Sequence, residues 1–585
     1  MGGFFKMFFA SLLALIIFTV IGFFIFLAFV TSLATTEKPA VEKNSVLVIN
    51  LNQAYLEQEL ENPLADLSGN NELSVPGVYD VVRLIKKAAS DDNIKGIYLF
   101  AEGNPNGFAT SEEIRNALIG FKQSKKFLIA YAEMMSQKAY HVANVADSIY
   151  INPKGMIDWT GFSSQLFFLK GTLEKLDIQP QIFYAGKFKS ATEPLRTDKM
   201  TEENRLQTAV WLGDLYAHFL MKAAETRKID TATLHQMANE GIIKKPEDAL
   251  THKLIDGLKY DDEVRDEFKK KLGLEKYDKI NFISINSYFK GGGYKKVSGD
   301  KIALIYAQGD IVDGSGDEQG QIASANYLKL IRKARLDKTI KSIVFRVNSG
   351  GGSALASETI WRELSLAKKE KPVVVSFGDV AASGGYYISC AADSIFASPT
   401  TITGSIGVFG IIPNMQGFFK NKLGITFDGV KTAPYADLGA IYRPMNENEK
   451  KMVQESIDNI YHSFKQRVSD GRKKSIEFID SIGQGRVWSG AKAIDIGLID
   501  KFGGLNDAVE CAARMAKLEN YRLREYPEIQ NIFDRFFGKK DNTLKTEVIR
   551  RELGEDQYLI YKEMIRVKQM TNKAQTRVPF EFIID

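Results

Sequence analysis

A serine flanked by small residues is the first feature of this 585-residue chain that could do chemistry. Ser383 lies in the run Ala-Ala-Ser-Gly-Gly-Tyr, which three intervening residues separate from a buried-type strand predicted at Pro372 to Phe377. Small neighbours leave the hydroxyl accessible, and the free amides at the start of the following helix favour a developing negative charge. A nucleophilic serine uses this setting, although a helix N-cap with glycines for close packing explains the same residues.

A run of three glycines follows the preceding strand, predicted at Lys341 to Val347. These are Gly350, Gly351 and Gly352, and a helix is predicted soon after them, from Ser357 to Lys369. Consecutive glycines let backbone N–H groups approach a ligand closely, which an oxyanion or a phosphate requires. No Gly-Lys-Ser/Thr follows, so the run is not a P-loop. A tight strand-to-helix connection is the alternative interpretation.

A nucleophilic serine needs a general base, and the five histidines do not supply an obvious one. Four of them lie in polar helical stretches or in a loop, and none of these four has a glycine-turn or strand-end context like that of Ser383: His218, His235, His462 and His252. A lysine can replace histidine where burial disfavours the ammonium and brings its pKa towards working pH. The sequence therefore favours a Ser/Lys pair over a Ser-His-Asp triad.

An internal duplication organises most of the chain. The sequence Ala-Asp-Ser-Ile at 146–149 recurs at 392–395, an offset of 246 residues, and the segment 94–97 resembles 340–343 at the same offset. Further along, Leu-Ile-Asp recurs at an offset of 244 residues, which indicates one small indel. Two tandem copies of a domain of about 240 residues are the simplest interpretation.

The alignment of the two copies points to one lysine as the base. Ser383 aligns with Gln137, so the first copy lacks the nucleophile. Lys189 of the first copy aligns with Ala433, so the second copy lacks that lysine. Each copy keeps one polar residue that the other has lost, as expected of a single site shared between them.

Composition fits a globular protein of several domains and disfavours a nucleic-acid partner. Charged residues make up 25% of the chain, hydrophobic residues 44%, and the net charge is only +5. The two cysteines, Cys390 and Cys511, form no CxxC pair, so we expect neither a disulfide framework nor a Cys/His zinc site. We expect no metal ion and no cofactor.

Each copy opens with a short buried-type strand, Ser45 to Leu51 and Lys301 to Tyr306, and then alternates strands with helices. This alternation is typical of parallel-rich α/β domains. We predict a first repeat at 44–287, a linker at 288–299, a second repeat at 300–526 and a helical tail at 527–585. The tail is expected to have an apolar side at 532–537, and packing on its own domain is favoured over packing on lipid.

The first 36 residues are predicted to form a membrane anchor. The stretch from Met7 to Val30 is almost wholly apolar and longer than the ~20 residues that a helix needs to cross a bilayer. A cleavable signal peptide ending near Ser32-Leu33-Ala34 is the alternative, but its apolar region spans only about 7 to 15 residues. The flanking charges favour a cytoplasmic N-terminus and an exported remainder.

Together these features resemble the long, duplicated form of the signal peptide peptidase A family, also called protease IV, a Ser/Lys peptidase family (S49). The resemblance covers nearly the whole chain and rests on four motifs: Arg346-Val347-Asn348-Ser349, Ala381-Ala382-Ser383-Gly384-Gly385-Tyr386, Thr403-Gly404-Ser405-Ile406-Gly407-Val408, and Phe188-Lys189-Ser190-Ala191 before Glu193-Pro194. It implies an α/β fold of two tandem Clp-protease/crotonase-like domains preceded by one transmembrane helix.

The resemblance also implies roles for individual residues. Ser383 matches the family's nucleophile, Lys189 its general base, and Ser405 the serine that orients the lysine amine. Gly350 to Gly352 match its oxyanion loop, and Gly384 follows the nucleophile. The family usually has proline where this chain has Gly350, so the loop is expected to be looser, and the glycine amide that donates to the oxyanion stays open.

In function, the resemblance implies a membrane-anchored serine endopeptidase that hydrolyses peptides, the remnants of cleaved signal peptides, through an acyl-enzyme. It further implies a single-pass protein of the inner membrane with its catalytic region on the periplasmic side, and a homo-oligomer, tetrameric in the family. A crotonase-type acyl-CoA enzyme is one alternative, although it needs neither Ser383 nor an exporting anchor. A catalytically inactive membrane scaffold is the other, and the intact set Ser383, Lys189 and Ser405 disfavours it.

Overall fold

The computed structural model describes residues 2–34, 39–59, 73–316, 320–528, 571 and 573–578. Its first element is helix α1, Gly2–Ala34. Within the described residues, one helix is long and apolar enough to cross a membrane, over Lys6–Phe24, and none of that window is buried against the protein. A signal sequence meets the same criterion of length and composition.

The first copy contains a six-stranded sheet whose paired strands all run parallel. The strands up to this point in the chain are β1 Ser45–Asn50, β2 Ile94–Phe100, β3 Phe127–Met135, β4 Ser148–Ile157, β5 Gln179–Ala185, β6 Gly257–Leu258 and β7 Asn281–Ser284. The sheet order is β6-β4-β3-β2-β1-β7, so β5 lies elsewhere. Strands such as β1 are runs of Val, Leu and Ile because a parallel sheet is buried on both faces.

The described residues of the first copy also form ten helices. They are α2 Val78–Ser90, α3 Phe108–Lys122, α4 Gln137–Ala143, α5 Lys170–Lys175, α6 Glu193–Arg196, α7 Glu202–Arg227, α8 Thr231–Asn239, α9 Pro246–Thr251, α10 Asp261–Leu272 and α11 Ile285–Lys290, with a 3₁₀ turn at Ser190–Thr192. Buried residues from strands β1 to β4 and from most of these helices form a core belonging to the first copy.

The second copy repeats this arrangement. Its strands are β8 Asp300–Gln308, β9 Asp310–Val312, β10 Gln321–Ala323, β11 Ile340–Ser349, β12 Gly351–Ser353, β13 Val373–Ala382, β14 Ser394–Ala397, β15 Ile402–Gly404, β16 Val408–Asn414, β17 Val487–Ser489, β18 Lys501–Phe502 and β19 Tyr521–Tyr526. The main sheet has the order β17-β15-β13-β11-β8-β19, and β14 and β18 extend it beside β13. Only the β15–β17 pair of this sheet is antiparallel among the described strands.

The helices of the second copy are α12 Ser324–Leu336, α13 Ala354–Lys368, α14 Gly384–Ser389, α15 Glu447–Arg472, α16 Ile476–Ile482, α17 Gly490–Asp495 and α18 Leu505–Met515, with a π-helical turn at Phe418–Lys422. Helices α3 and α13 lie 246 residues apart at both ends, as the sequence offset predicts. The predicted fold class of two tandem α/β domains is confirmed.

A third sheet joins the two copies. Its order is β10-β9-β12-β20-β16-β5, where β20 is Ala574–Arg577. Strand β5 of the first copy pairs antiparallel with β16 of the second, from Ala185 opposite Val408 to Gln179 opposite Asn414. The tail, predicted to be helical, contributes β20 where the structure describes it, and its predicted apolar side at 532–537 lies outside the described residues.

Candidate active site

Ser383 lies between β13 and α14 in a rarely occupied backbone conformation. Its φ is 55° and its ψ is −114°, which few residues other than glycine adopt. The backbone is held there because the Ser383 amide donates a hydrogen bond to the Gly404 carbonyl oxygen over 2.8 Å. The side chain is buried, and it makes no capping hydrogen bond to α14. The N-cap interpretation therefore does not account for this serine.

The glycines after Ser383 let neighbouring chain segments approach the serine closely. An ideal Cβ on Gly385 would lie 2.5 Å from the Ser349 carbonyl oxygen, and one on Gly384 would lie 2.8 Å from Ser357 Oγ. Both distances are shorter than carbon–oxygen contacts allow. Close packing thus requires these glycines, and the same packing brings the loop after β11 next to Ser383.

Lys189 reaches Ser383 from the first copy. Its Nζ lies 2.8 Å from Ser383 Oγ, and only 1% of the residue is exposed. The β5–β16 pairing carries this segment across to the second copy, and Phe183 and Ala185 of β5 are buried in the second copy's core. The structure thus brings together the two residues that the copy alignment singled out.

Ser405 lies on the other side of the lysine amine. Lys189 Nζ is 3.0 Å from Ser405 Oγ and 3.1 Å from the Ser405 carbonyl oxygen. Ser405 is buried and has a φ of 52°, and its amide donates to the Arg486 carbonyl oxygen over 2.7 Å. The left-handed backbone turns both oxygens of Ser405 towards the same amine.

Burial lowers the pKa of the Lys189 ammonium well below its ordinary value, because desolvation disfavours the charged form. A neutral amine carries two N–H groups and one lone pair. When the N–H groups donate to the two oxygens of Ser405, the lone pair faces the third neighbour, the Ser383 hydroxyl. In this arrangement the amine can accept the serine proton.

The predicted oxyanion glycines lie beside Ser383. An ideal Cβ on Gly351 would be 2.7 Å from the Gly384 amide nitrogen, so the two segments are in direct contact. The Gly351 amide itself donates to Ser349 Oγ over 3.1 Å. Gly350 offers its carbonyl oxygen to the amide of Val578 over 2.8 Å. The Gly351 amide therefore already has a partner, which favours the amides of Gly352 and Gly384 over it as oxyanion donors.

The residues that hold Lys189 in place were missed by sequence reasoning. Gln207 of α7 donates to the Phe188 carbonyl oxygen over 3.1 Å and accepts from the Val487 amide over 3.0 Å. An ideal Cβ on Gly485 would lie 2.7 Å from the Lys189 backbone nitrogen. These contacts join loops of different copies, so no local sequence pattern signals them.

A buried ion-pair network also crosses between the copies near the strand ends. Arg346 of β11 donates to Glu57 over 2.7 Å and to Glu113 over 2.6 Å, and both carboxylates belong to the first copy. Asn348 donates to the same Glu57 over 2.9 Å. The motif Arg346-Val347-Asn348-Ser349 thus helps to fix the first copy onto the strand that leads to the glycine loop.

The histidines lie in other surroundings. His141 and His218 place their Nε2 atoms 2.8 and 3.3 Å from Glu112 Oε2, and all three side chains are buried between α3, α4 and α7. Their ligand atoms lie within 4.8 Å of one another, a spacing that could hold a metal ion. His218 was expected in a polar helical stretch, and the structure instead buries it against a carboxylate.

Comparison with known proteins agrees with this geometry. The model of Peptidase family S49 matches residues 120–275 and 365–519, once in each copy. Protease 4 of Salmonella typhi is 37% identical over 476 residues, which cover 80% of this chain and 76% of that protein. Serine protease SPPA, chloroplastic, of Arabidopsis thaliana is 33% identical and covers 82% of this chain and 70% of its own length. A putative signal peptide peptidase SppA of Enterococcus faecium is 33% identical over 39% of this chain.

Two solved structures match with low scores. A ClpP1 mutant from Listeria monocytogenes has a TM-score of 0.24 and 16% identity, and covers 35% of this chain and 94% of its own. A mutant of a membrane-bound stomatin-specific protease, 1510-N, has a TM-score of 0.26 and 15% identity, and covers 40% of this chain and 100% of its own. The family model's two matches and the relatives that span most of the chain carry the assignment: the chain belongs to peptidase family S49, and it is a serine peptidase.

Proposed function

We propose that this peptidase acts through a Ser/Lys dyad, with Ser383 as nucleophile, Lys189 as general base and Ser405 as the residue that orients the amine. The observation that carries the proposal is the 2.8 Å contact between Lys189 Nζ and Ser383 Oγ in a buried pocket. A lysine in such a pocket is neutral at a lower pH than usual, which a general base requires.

The proposed reaction has two halves. In the first, Lys189 takes the Ser383 proton as Oγ attacks the peptide carbonyl carbon, and the amides of Gly352 and Gly384 stabilise the oxyanion. Lys189 then gives that proton to the leaving amine nitrogen as the carbon–nitrogen bond breaks, which leaves the acyl group on Ser383. In the second half, Lys189 accepts a proton from water, the resulting hydroxide attacks the ester, and the proton returns to Ser383 Oγ.

The proposed substrates are membrane-derived peptides, namely the remnants of cleaved signal peptides. Two features support this choice: an apolar helix that could anchor the chain at a bilayer, and a relative whose name specifies signal peptides. We further propose a single-pass protein of the inner membrane, in contact with lipid, with the catalytic region on the periplasmic side. The assembly we propose is a homo-oligomer, tetrameric as in the family that the motifs resemble.

The test is the Ser383→Ala protein assayed with a fluorogenic peptide and a serine-directed acylating probe. We expect turnover and labelling both to disappear, since the change removes the only oxygen that attacks. Ser389→Ala is the matched control, because Ser389 is also buried and, among the described residues, its hydroxyl donates to the Gly385 carbonyl oxygen alone. Retained turnover in Ser383→Ala would exclude Ser383 as the nucleophile. If the protein were an acyl-CoA enzyme, the parent protein would not react with the probe.

A further inference from the structure

Strand β20 of the chain's own tail lies in the cleft beside Ser383. It pairs antiparallel with the glycine strand β12 on one side, with Thr576 opposite Gly352, and with β16 on the other, with Gln575 opposite Phe409. Both tail residues are buried. The tail therefore completes the sheet as an added strand, which is how many peptide-binding proteins take an extended ligand.

The register of this strand places one carbonyl group at the proposed oxyanion site. The Val578 amide donates to the Gly350 carbonyl oxygen, so these two residues form a hydrogen-bonded pair of the antiparallel ladder. The next such pair lies two residues along, at Gly352 and Thr576. An ideal Cβ on Gly384 would lie 3.0 Å from the Thr576 carbonyl oxygen. The Thr576 carbonyl group therefore lies beside the glycine segments of the proposed oxyanion site, and Thr576–Arg577 is the bond that follows it.

Two basic side chains of the tail meet two carboxylates at the rim of the same cleft. Arg577, which is 4% exposed, forms an ion pair with Asp310 at the start of β9. Lys573 Nζ lies 2.9 Å from Asp313 Oδ2, just after the same strand. Ser353 Oγ bonds the other oxygen of Asp313 and so holds that carboxylate in place. Asp310 and Asp313 therefore form ion pairs with two basic residues of the bound strand. These two residues lie four positions apart.

We propose that Asp310 and Asp313 are specificity-determining residues for the basic side chains of a peptide bound as an antiparallel strand between β12 and β16, and that Asp310 recognises the residue just after the cleaved bond. The proposal rests on Ser383 being the peptidase nucleophile. The expected substrates are extended peptides with an arginine or lysine opposite Gly351 and a second basic residue four positions earlier. The tail strand is the first ligand of this kind.

The test measures peptide binding to the full-length Ser383→Ala protein, which holds peptides without cleaving them. All proteins also carry Arg577→Gln, which loosens the tail strand. One fluorescent peptide has the sequence of residues 571–580, Thr-Asn-Lys-Ala-Gln-Thr-Arg-Val-Pro-Phe, and the other has glutamine in place of arginine. Any remaining tail competition reduces the affinity of both peptides by the same factor, so the ratio of their Kd values reports the arginine contact alone.

We expect the arginine peptide to bind about ten-fold more tightly than the glutamine peptide, as the loss of one close charge pair in a binding site predicts. In the Asp310→Asn background the two Kd values should become equal within about two-fold. Asp310→Arg should reverse the preference, so that a peptide with glutamate at this position binds more tightly. Asp262→Asn, at an exposed position of α10, should keep the original ratio.

An unchanged ratio in Asp310→Asn would overturn the proposal, and so would failure of both peptides to bind. These outcomes are distinct from a failure of the dyad. If Ser383→Ala still turns over substrate, the nucleophile assignment is wrong, whereas an inactive Ser383→Ala with an unchanged ratio excludes only the basic subsite.

Discussion

Lys189 is the residue of this site whose burial costs the most folding free energy, because its side chain is an amine. Its amine is buried, its neighbours are two hydroxyls and a carbonyl oxygen, and desolvation alone lowers the pKa of its ammonium. Folding must therefore keep an amine uncharged that would be charged in the unfolded chain. This cost in folding free energy falls at the position where the proposed reaction needs a neutral amine.

Lys189→Met should be inactive and, at neutral pH, more resistant to heat than the parent by a few degrees. Methionine has a similar length but no amine to desolvate, so the substitution removes the base together with its folding cost. Lys189→Arg should also be inactive, because a guanidinium is not deprotonated in proteins. Turnover and thermal midpoints check both. Lys187→Met is the control, since the Lys187 amine lies over the Phe188 ring, and equal losses at both positions would contradict the base role.

Activity should rise with pH through the lowered pKa of Lys189 and then level off. Below that pKa the amine is protonated and cannot accept the serine proton, and above it the amine is neutral and competent. The free energy of unfolding should also rise with pH through the pKa of Lys189. In that range the unfolded chain binds a proton that the folded protein does not, so raising the pH favours the folded state. A kcat/KM profile from about pH 5 to 10 measures the first effect. A flat profile with chemistry rate-limiting would contradict a lysine base.

At the scale of elements, two glycine turns let the loops of the two copies meet. Gly186 has a φ of 102°, and an ideal Cβ there would lie 2.4 Å from the Gln484 backbone carbon. Gly485, with a φ of 75°, faces the Lys189 backbone in the same way. Phe188 donates its amide to the Gln484 carbonyl oxygen over 2.8 Å. Strand β5 brings the lysine near, and these turns set its final position.

Gly485→Ala should lower kcat by about 100-fold while the protein stays folded, because the new Cβ must displace the lysine backbone, and displacements near 1 Å have effects of this size. Gly439→Ala is the matched control: its φ is 83°, and an ideal Cβ there meets nothing within 4 Å. The two substitutions introduce similar backbone strain, but only the new Cβ of Gly485→Ala contacts the Lys189 backbone. Kinetics and circular dichroism of both proteins check this, and equal losses in kcat would assign the effect to strain.

The duplication and the α/β architecture could be predicted from sequence, and so could the proximity of Ser383 to Lys189, because each leaves a trace along the chain. Offsets of 246 and 244 residues align the copies, and the alignment isolates Ser383 and Lys189. Gln207 and Gly485 leave no such trace, since each acts on a loop remote in sequence. Strand β20 could not be predicted either, because its extended form is set by pairing with β12 and β16.

At the scale of the whole molecule, the site exists only where the two copies meet. Each copy has its own hydrophobic core, yet β5 completes a sheet of the second copy, and Arg346 needs carboxylates of the first. The second copy's own candidate, Lys431, aligns with Lys187, is exposed, and pairs with Asp437 over 2.6 Å. The second copy therefore has no substitute base at the position of Lys189.

Co-expressed fragments 39–290 and 297–585 should associate and hydrolyse peptide, whereas the second fragment alone should not. The reason is that the first fragment supplies Lys189 and the strand that delivers it. A first fragment with Lys189→Ala should associate without restoring turnover, and one with Lys187→Ala should restore it. Co-purification and peptide hydrolysis check these outcomes. Full activity in the second fragment alone would place the base elsewhere in that copy.

The tail strand has a consequence for how the enzyme responds to substrate concentration. Because β20 belongs to the same chain as the cleft that holds it, it competes with free peptide as an intramolecular ligand at a high effective concentration. A free peptide that is scarcer than this competes poorly, however well it fits the cleft. A high local density of peptides, such as a bilayer that retains them, shifts this balance, so we expect the peptidase to respond to accumulated peptide more than to isolated peptide molecules.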